Sequence, residues 1–450
     1  MVETTPGDIP RHALKLARMA FTDFCGVALA GCREKTSQIM VDYVRAMGGN
    51  PQASTIGSSL KTSPYLAALV NGTTGHSLDY DDIAVSLNGH PSVCLVPAVF
   101  AIGEILRSTG QDVLTAYVIG YETACHVARP VLQSHYTRGW HSTATFGSLG
   151  ATAAASRLLK LSTAQVKHAI GIAASLAGGL RQNFGTMTKP LHAGKAAANG
   201  IQAALLAQAG FTAAENIIEA PLGFARVFGH DGDVDWTKVG AELGRTFLMI
   251  GAGGLNLKPY PSCGFTHCAI DAALQIRREH GFDPDEVATV ELGVSPFDKQ
   301  ILIYHHPRTG LEAKFSLEYC VARALVSGGV RMGHFDDAAV SEPAVTRLFR
   351  SMKWVERFPL PVMGTAEGFG IKSVVLKLTN GREYCAEVAV ARGMPGNPLS
   401  KAELDAKYRD CASITLDSNG VRKSIAVLSN LDDVDDIRLL MEILKQRSAP

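Results

Sequence analysis

The feature that most constrains the fold is a change in sequence pattern near residue 250. Before this point Ala and Leu dominate, and small-residue tracts such as 150–155 recur between capping signals. Tracts of this kind favour helices that pack closely through their alanine faces. Ser162 and Gln165 have the residue types and spacing of a capping box at a helix N-terminus. We therefore predict an all-helical domain over residues 1–258.

Beyond residue 258 the pattern becomes typical of strands. Apolar residues alternate within 287–294, and two alternating runs flank the pair Asn380-Gly381. Such a pair favours a two-residue type I′ hairpin turn. We predict a smaller α+β domain with an antiparallel sheet over residues 259–395.

A third segment, residues 396–450, follows a Pro/Gly-rich boundary. Ser400 and Glu403 have capping-box spacing and predict a helix there. We expect this segment to return to the helical domain. The predicted fold class is mostly α, with an α+β second domain.

Composition and charge exclude several function classes. The 450 residues contain 43 Lys and Arg against 42 Asp and Glu, a formal net charge of +1, so we expect no nucleic-acid or membrane partner. Apolar runs such as 93–103 fall short of the ~20 residues that a membrane helix needs. The N-terminus lacks the pattern of an export signal. The nine cysteines form no CxxC pair, which favours reduced thiols and a cytoplasmic location.

The densest polar cluster lies between residues 76 and 90. It contains His76, Asp79, Asp81, Asp82 and His90. Carboxylates and imidazoles in an apolar surrounding can act as general acids and bases or as metal ligands. One alternative is metal-assisted hydrolysis through His76, Asp79 and Asp82. For Asp81 and Asp82 individually, the alternative is a helix cap or a solvated turn.

Two further polar clusters precede Ala-rich helices. His141 follows Trp140, and this pattern indicates either a base desolvated by an aromatic ring or a hydrogen-bonded core histidine. The next cluster runs from Arg181 through Lys189 to His192. Cations at a helix start suit an anionic ligand, because the helix dipole and the side-chain charge act together. The alternative there is a surface turn with solvated lysines.

A fourth cluster lies at the predicted domain boundary. Cys263, His267 and Cys268 could be metal ligands or a catalytic Cys–His pair, but their spacing specifies neither. Tyr319, on a predicted helix, is a candidate acid or a packed tyrosine. Phosphate-binding, dinucleotide-binding, hydrolase-elbow and HExxH motifs are absent from the sequence.

Taken in order, the polar clusters resemble the MmgE/PrpD family across about residues 60–330. The motifs that carry the resemblance are His76-Ser-Leu-Asp79-Tyr-Asp-Asp82, His90-Pro-Ser92, Gly139-Trp-His141, Thr188-Lys189-Pro-Leu-His192, Tyr260-Pro-Ser-Cys263 with His267, and Glu312-Ala-Lys-Phe-Ser316. One motif alone would be weak, whereas six in order are specific.

The resemblance implies a large helical domain built from both chain ends, an inserted α+β lid domain, and usually a homodimer. The family's activities are 2-methylcitrate dehydration, cis-aconitate decarboxylation and iminodisuccinate epimerisation, which use neither metal nor organic cofactor. All three involve proton transfer at a carbon beside a carboxylate. The implied partner is a small di- or tricarboxylate.

Matching the motifs carries the family's functional positions onto this chain. The expected catalytic residues are Asp79, His90, His141, Lys189, His267 and Tyr319; the expected substrate-binding residues are Lys189, Arg181, His192 and Asp82. In this scheme His90 and His141 exchange protons and Lys189 holds substrate carboxylates. Asp79 orients a histidine, and His267 completes the site on domain closure.

The branch within the family depends on small departures from the common pattern. Ile83 follows Asp82 where the dehydratase and decarboxylase pattern commonly has Thr, and the spacing from Asp79 to His90 is one residue longer. Both details are similar to the iminodisuccinate epimerase branch, whereas Tyr319 is similar to the decarboxylase. We expect a cofactor-free, epimerase-like acid/base enzyme. The alternatives are a dehydratase, a decarboxylase, and a non-catalytic carboxylate-binding homologue.

Overall fold

The computed structural model describes residues 2–229, 234–362, 365 and 368–445. The chain divides into two compact units. The helical unit comprises Met1–Gln182, Thr188–Leu257 and Ser400–Pro450, and the α+β unit comprises Asn183–Met187 and Lys258–Leu399. No helix in the described part of the chain combines the length and apolar character needed to cross a bilayer.

Helices dominate the described residues up to Leu257. They are α1 Arg11–Gly31, α2 Lys35–Met47, α3 Pro64–His76, α4 Ser92–Leu106, α5 Gly110–Ala128, α6 Leu132–Thr137, α7 Ser142–Leu158, α8 Thr163–Leu176, α9 Thr188–Gln208, α10 Phe224–Phe228 and α11 Trp236–Glu242. Two short antiparallel pairs accompany them: β1 Ala53–Ser54 with β2 Lys61–Thr62, and β3 Ile83–Ala84 with β4 Leu255–Asn256.

Small residues explain how the central helices of this unit approach one another. A Cβ built on Gly72 of α3 would lie 2.7 Å from the Cα of Gly194 in α9, and one built on Gly120 of α5 would lie 2.7 Å from the carbonyl oxygen of Gly150 in α7. Larger side chains at these crossings would push the backbones apart. The Ala- and Gly-rich tracts are therefore the contact faces of α3, α5, α7 and α9.

The α+β unit carries a four-stranded sheet and five helices among its described residues. In chain order these elements are α12 His267–His280, β5 Val287–Val294, α13 Gly310–Ala313, α14 Leu317–Ser327, α15 Asp337–Val340, α16 Pro343–Arg350, β6 Met352–Glu356, β7 Lys372–Leu378 and β8 Glu383–Val388. The strand order is β6-β5-β7-β8, and α12 packs on β7 and β8.

The predicted fold class, mostly α with an α+β second domain, is confirmed. The sheet is mixed rather than purely antiparallel. β7 pairs antiparallel with β5 and β8, whereas β6 runs parallel to β5 with Leu292 opposite Trp354. The helices between β5 and β6 return the chain to the end of the sheet at which β5 begins. The two strands therefore run in the same direction.

The hairpin between β7 and β8 exists, but its predicted turn type is wrong. A type I′ turn needs positive φ at both central residues. Only Gly381 has it, at 86°, and Asn380 is not among the described residues with positive φ. The Leu378 N–H donates to the Arg382 carbonyl at 2.8 Å. The loop is therefore a three-residue turn with glycine in the left-handed position.

The last helices, α17 Lys401–Ala412, α18 Ser418–Ser429 and α19 Arg438–Ile443, belong to the helical unit. α17 packs against α1, and Lys407 forms a buried ion pair of 2.6 Å with Asp23 of that helix. The Ser400 hydroxyl and the Glu403 carboxylate form the capping box expected at the start of α17. The helical unit is thus closed by the C-terminal segment.

We expect Gly110→Ala to destabilise the helical unit. The Gly110 N–H donates to the Val434 carbonyl at 2.7 Å, and a Cβ there would lie 1.6 Å from the carbonyl oxygen of Leu431. The backbone must shift to make room for the added methyl group. This shift should lower the free energy of unfolding by about 1–3 kcal/mol, measured by urea denaturation. Gly240→Ala is the control, because nothing lies within 4 Å of its Cβ. Equal stabilities for the two variants would contradict the packing described.

Candidate active site

The candidate site begins in a tight turn that follows α3. Asp79 has φ of 51°, a left-handed conformation that is unusual for a residue other than glycine. The turn reverses the chain and brings the Asp81 carboxylate to the Nδ1 edge of the His76 ring. Nδ1 of His76 is 2.8 Å from Oδ1 of Asp81, and both side chains are fully buried. Backbone strain of this kind is concentrated at functional sites.

Asp81 also holds a second imidazole. Nδ1 of His90 lies 2.9 Å from Oδ2 of Asp81 and 2.9 Å from the Asp82 carbonyl oxygen. Burial alone raises the pKa of Asp81, but His76 and His90 outweigh it and hold that pKa well below the usual range. One ionised carboxylate therefore lies against Nδ1 of two histidines, whose ring centroids are 4.4 Å apart. It is hydrogen-bonded to His76, whereas the hydrogen bond of His90 goes to the Asp82 carbonyl.

A buried ion pair lies beside these histidines. Nζ of Lys189, in the first turn of α9, is 3.0 Å from Oδ1 of Asp79, and each side chain is 5% exposed. Nε2 of His90 lies 3.8 Å from the same oxygen. The position of Lys189 at a helix start agrees with the sequence pattern. The site thus places a fixed cation close to an imidazole.

A second imidazole system is built from α7 and α9. His141 is the N-terminal cap residue of α7, and its Nδ1 is 3.0 Å from Nδ1 of His192 on α9. Burial, assisted by positive charge on His192 and Lys189, holds the pKa of His141 well below the usual range. Burial lowers the pKa of His192 to about 4. The His141 and His76 rings stack with centroids 6.3 Å apart, which joins the two systems.

The structure therefore brings together Asp79, His90, His141, Lys189 and His192. Asp81 and His76 join them; the sequence predicted no catalytic role for Asp81, and for His76 only a role in the alternative of metal-assisted hydrolysis. No signal in the sequence distinguishes Asp81 from Asp82, because only the left-handed turn at Asp79 decides which carboxylate meets the histidines.

The other two predicted positions in the helical unit have partners of their own. The Asp82 carboxylate accepts from the Ser92 hydroxyl at 2.7 Å, and that hydroxyl is 2.7 Å from the Tyr117 hydroxyl. Burial raises the pKa of Asp82 well above its usual value. Arg181 donates to the Tyr136 carbonyl at 2.7 Å and covers the Tyr136 ring. Substrate contact by Asp82 and Arg181 stays a prediction.

His267 and Tyr319 lie in the α+β unit. Nε2 of His267, at the start of α12, is 3.2 Å from the Ser262 carbonyl oxygen, and its ring meets Tyr260 edge-on. Tyr319 is fully buried on α14, and its hydroxyl donates to the His334 carbonyl. Burial raises the pKa of Tyr319 to about 12, so the phenol stays protonated at neutral pH. Catalytic roles for both residues stay predictions.

Four side chains of the cluster could hold a metal ion. Donor atoms of His76, Asp79, Asp81 and His90 lie within 4.8 Å of one another. The set predicted from the sequence was His76, Asp79 and Asp82; here Asp81 and His90 take the place of Asp82. The Asp81 oxygens already lie against Nδ1 of both histidines, and Lys189 compensates the charge of Asp79. Nε2 of His76 and Oδ2 of Asp81 are buried and form no hydrogen bond within the described ranges, so protein groups satisfy the cluster only in part.

Buried neutral histidines make the stability of the helical unit depend on pH. Burial lowers the pKa of His135 to about 3 and that of His192 to about 4, below the unfolded value of about 6.5. The unfolded chain binds more protons in this window, so the free energy of unfolding should fall as pH drops from about 6.5 to 4. Each such histidine contributes up to about 1.4 kcal/mol per pH unit.

Denaturant titrations across this pH range test the expectation. His135→Phe should reduce the slope, because an apolar ring can pack beside Phe146 without titrating. His12→Ala is the control variant, because it removes a histidine whose side chain is exposed in the folded protein. An unaltered slope in His135→Phe would show that His135 is not a buried neutral group.

Comparison with known proteins identifies the family of the chain. Residues 1–237 match the model of the MmgE/PrpD N-terminal domain, and residues 260–433 match that of the MmgE/PrpD C-terminal domain. The cis-aconitate decarboxylase of Homo sapiens is 27% identical over 459 residues, which cover 99% of this chain and 92% of that protein. The cis-aconitate decarboxylase-like protein oryM of Aspergillus oryzae is 25% identical, covering 99% of this chain and 95% of that protein.

A third relative, the cis-aconitate decarboxylase of Aspergillus terreus, is 25% identical over 97% of this chain and 92% of its own length. The N-terminal model alone spans more than half of the sequence, and the C-terminal model covers most of the remainder. The chain therefore belongs to the MmgE/PrpD family, as an enzyme of its isomerase or lyase type.

Proposed function

We propose that this enzyme transfers a proton, without a metal, at a carbon beside a carboxylate of a small di- or tricarboxylate. The observation that carries the proposal is the buried cluster of two separately held imidazole systems beside Lys189. Nδ1 of His90 is hydrogen-bonded to the Asp82 carbonyl and lies 2.9 Å from the Asp81 carboxylate, and His141 is held at Nδ1 by His192.

The charges of the cluster suit carbanion chemistry. A carbanion next to a carboxylate spreads negative charge onto the carboxylate oxygens, and a fixed cation in a water-poor site stabilises that charge. Lys189 is 5% exposed and supplies such a cation. A bound carboxylate also favours the charged form of nearby imidazoles, which raises their pKa toward neutral pH. His90 and His141 could then give or take protons.

The first specific candidate reaction is decarboxylation of cis-aconitate. Relatives bearing this name align with 97–99% of the chain. Loss of carbon dioxide leaves an electron pair on the carbon, and a single imidazolium must deliver a proton there. His90 or His141 could be that acid, while Lys189 holds a remaining carboxylate.

The second candidate is epimerisation of iminodisuccinate. An epimerase needs one group on each face of the reacting carbon, and two imidazoles supported by different partners could provide them. Ile83, whose buried side chain offers no hydrogen bond, stands where the dehydratase and decarboxylase pattern commonly has Thr. Dehydration of 2-methylcitrate needs a base and an acid and could use the same pair.

Product analysis separates these reactions. We would incubate chelator-treated enzyme with cis-aconitate, iminodisuccinate and 2-methylcitrate separately and follow each by proton NMR. One of the three compounds should be converted. His168→Asn is the control variant and should retain full activity, because the His168 ring is bonded to the Ala213 carbonyl. Folded enzyme that converts none of them, or converts one only after metal is added, would contradict the proposal.

The location, oligomeric state and partners of the enzyme are also proposals. We propose a cytoplasmic homodimer that binds the small carboxylate and engages neither nucleic acid nor membrane. Light scattering at two protein concentrations should give twice the chain mass of 47.8 kDa, and a monomeric mass at both would contradict the dimer.

A further inference from the structure

The contact between His141 and His192 joins the two Nδ1 atoms, at 3.0 Å. At this distance one nitrogen must donate a hydrogen and the other must accept it. Because a neutral imidazole carries one N–H, the donor has a lone pair at Nε2 and the acceptor has its hydrogen at Nε2. The state of Nε2 on His141 is therefore fixed by the direction of this hydrogen bond.

The surroundings of His192 favour a role directed at His141. Among the described residues, no hydrogen-bonding partner other than His141 is found for the His192 ring. A Cβ built on Gly179 would lie 3.1 Å from Cγ of His192, so the backbone there confines the ring. His141 in turn donates its backbone N–H to the Gly179 carbonyl at 2.9 Å. Gly179 thus lies against the His192 ring and binds the His141 backbone.

We propose that His192 is a positioning residue for His141 rather than a binding residue for substrate. It holds Nδ1 of His141, so that Nε2 of His141 exchanges the proton with the substrate carbon. The inference rests on the proposed function, because it assigns His141 as the group that exchanges this proton.

The protons balance within the pair. The neutral pair carries two ring N–H protons, and uptake of one more gives a cation in which the proton between the two Nδ1 atoms is shared. When Nε2 of His141 delivers its proton to the carbanion, the pair returns to neutral. In the opposite direction, Nε2 takes the proton from carbon and the pair becomes the cation. His192 disperses the charge without touching substrate.

Two substitutions at position 192 separate this role from the alternatives. His192→Phe removes the partner of Nδ1, and we expect kcat to fall by about 10–100-fold with KM within about twofold. His192→Asn places an amide close to the position of Nδ1, and it should recover part of the lost kcat because it still forms the hydrogen bond. If the His141 imidazolium is the acid, His192→Phe should lower its pKa, because neutral His192 no longer accepts a hydrogen bond from it. The alkaline limb of the kcat profile should then shift to lower pH.

Nitrogen-15 NMR of histidine side chains provides a readout that does not need substrate. In the wild-type enzyme, Nδ1 of His141 should show the shift of a hydrogen-bonded nitrogen, and His192→Phe should change that shift. Matching thermal denaturation curves for His192→Phe and the His168→Asn control would exclude a general loss of structure.

The outcomes are distinguishable. A raised KM with unchanged kcat and pH profile in His192→Phe would overturn the proposal and make His192 a substrate ligand. An unchanged His141 resonance in that variant would overturn it as well. Failure of the wild-type enzyme on every carboxylate would refute the proposed function, and the NMR comparison would still decide whether His192 holds His141.

Discussion

Lys189→Met is expected to abolish turnover and to lower the free energy of unfolding by about 3–5 kcal/mol. The substitution removes the ammonium that lies 3.0 Å from Asp79 and leaves that carboxylate buried beside an apolar side chain. Breaking a buried ion pair from one side has this cost because the remaining charge is desolvated without its compensating partner. Urea denaturation and turnover of the identified substrate measure the two effects.

The double variant Lys189→Met/Asp79→Asn separates stability from catalysis. With both charges removed, most of the lost stability should return, since two neutral groups replace the unpaired carboxylate. Turnover should stay absent, because the cation that stabilises the developing negative charge is still missing. Recovery of activity together with stability would show that Lys189 is only structural.

Asp81→Asn is expected to reduce kcat by about 10²–10⁴-fold. The carboxylate is hydrogen-bonded to Nδ1 of His76 and lies 2.9 Å from Nδ1 of His90, whose own hydrogen bond goes to the Asp82 carbonyl. An amide keeps only one acceptor oxygen for these two rings. One imidazole would lose its orientation or change its tautomer, and changes of this kind at an orienting aspartate are costly in other enzymes. Removing the negative charge also lowers the pKa of both histidines, because it destabilises their charged forms.

The pH dependence of kcat tests this assignment directly. If His90 donates the proton, the alkaline limb of the profile should move to lower pH in Asp81→Asn. Asp112→Asn is the control, because its carboxylate caps α5 by bonding to Thr109, and it should keep full kcat with a stability loss of about 1 kcal/mol. Equal kcat in the Asp81 and Asp112 variants would show that Asp81 does not contribute to catalysis.

Much of the fold could be predicted from the sequence because its signals are local. Alternation over 287–294 predicts a strand with the bounds that β5 has, and Ser400 with Glu403 caps α17 as expected. β6 was missed because it has only five residues, none of them buried, and the alternation of Met352-Lys353-Trp354 is broken at Val355. Its parallel pairing with β5 depends on a crossover that local spacing does not encode.

The candidate site could be predicted only in part. His90, His141 and Lys189 stand in recognisable motifs, and the structure places them in one cluster. The partners of the two histidines could not be predicted. Asp81 reaches His90 only because Asp79 adopts a left-handed conformation, and His192 reaches His141 only because α7 and α9 pack together. Both facts depend on tertiary structure.

The central claim is that protein side chains alone transfer the proton. The most direct test is proton NMR in D₂O with the substrate identified by product analysis, comparing chelator-treated wild-type enzyme with Lys189→Met/Asp79→Asn. We predict that the wild-type enzyme places deuterium on the carbon beside the carboxylate at full rate and that the folded double variant places none. Exchange that appears only after a divalent metal is restored, or that proceeds equally in the double variant, would contradict the account.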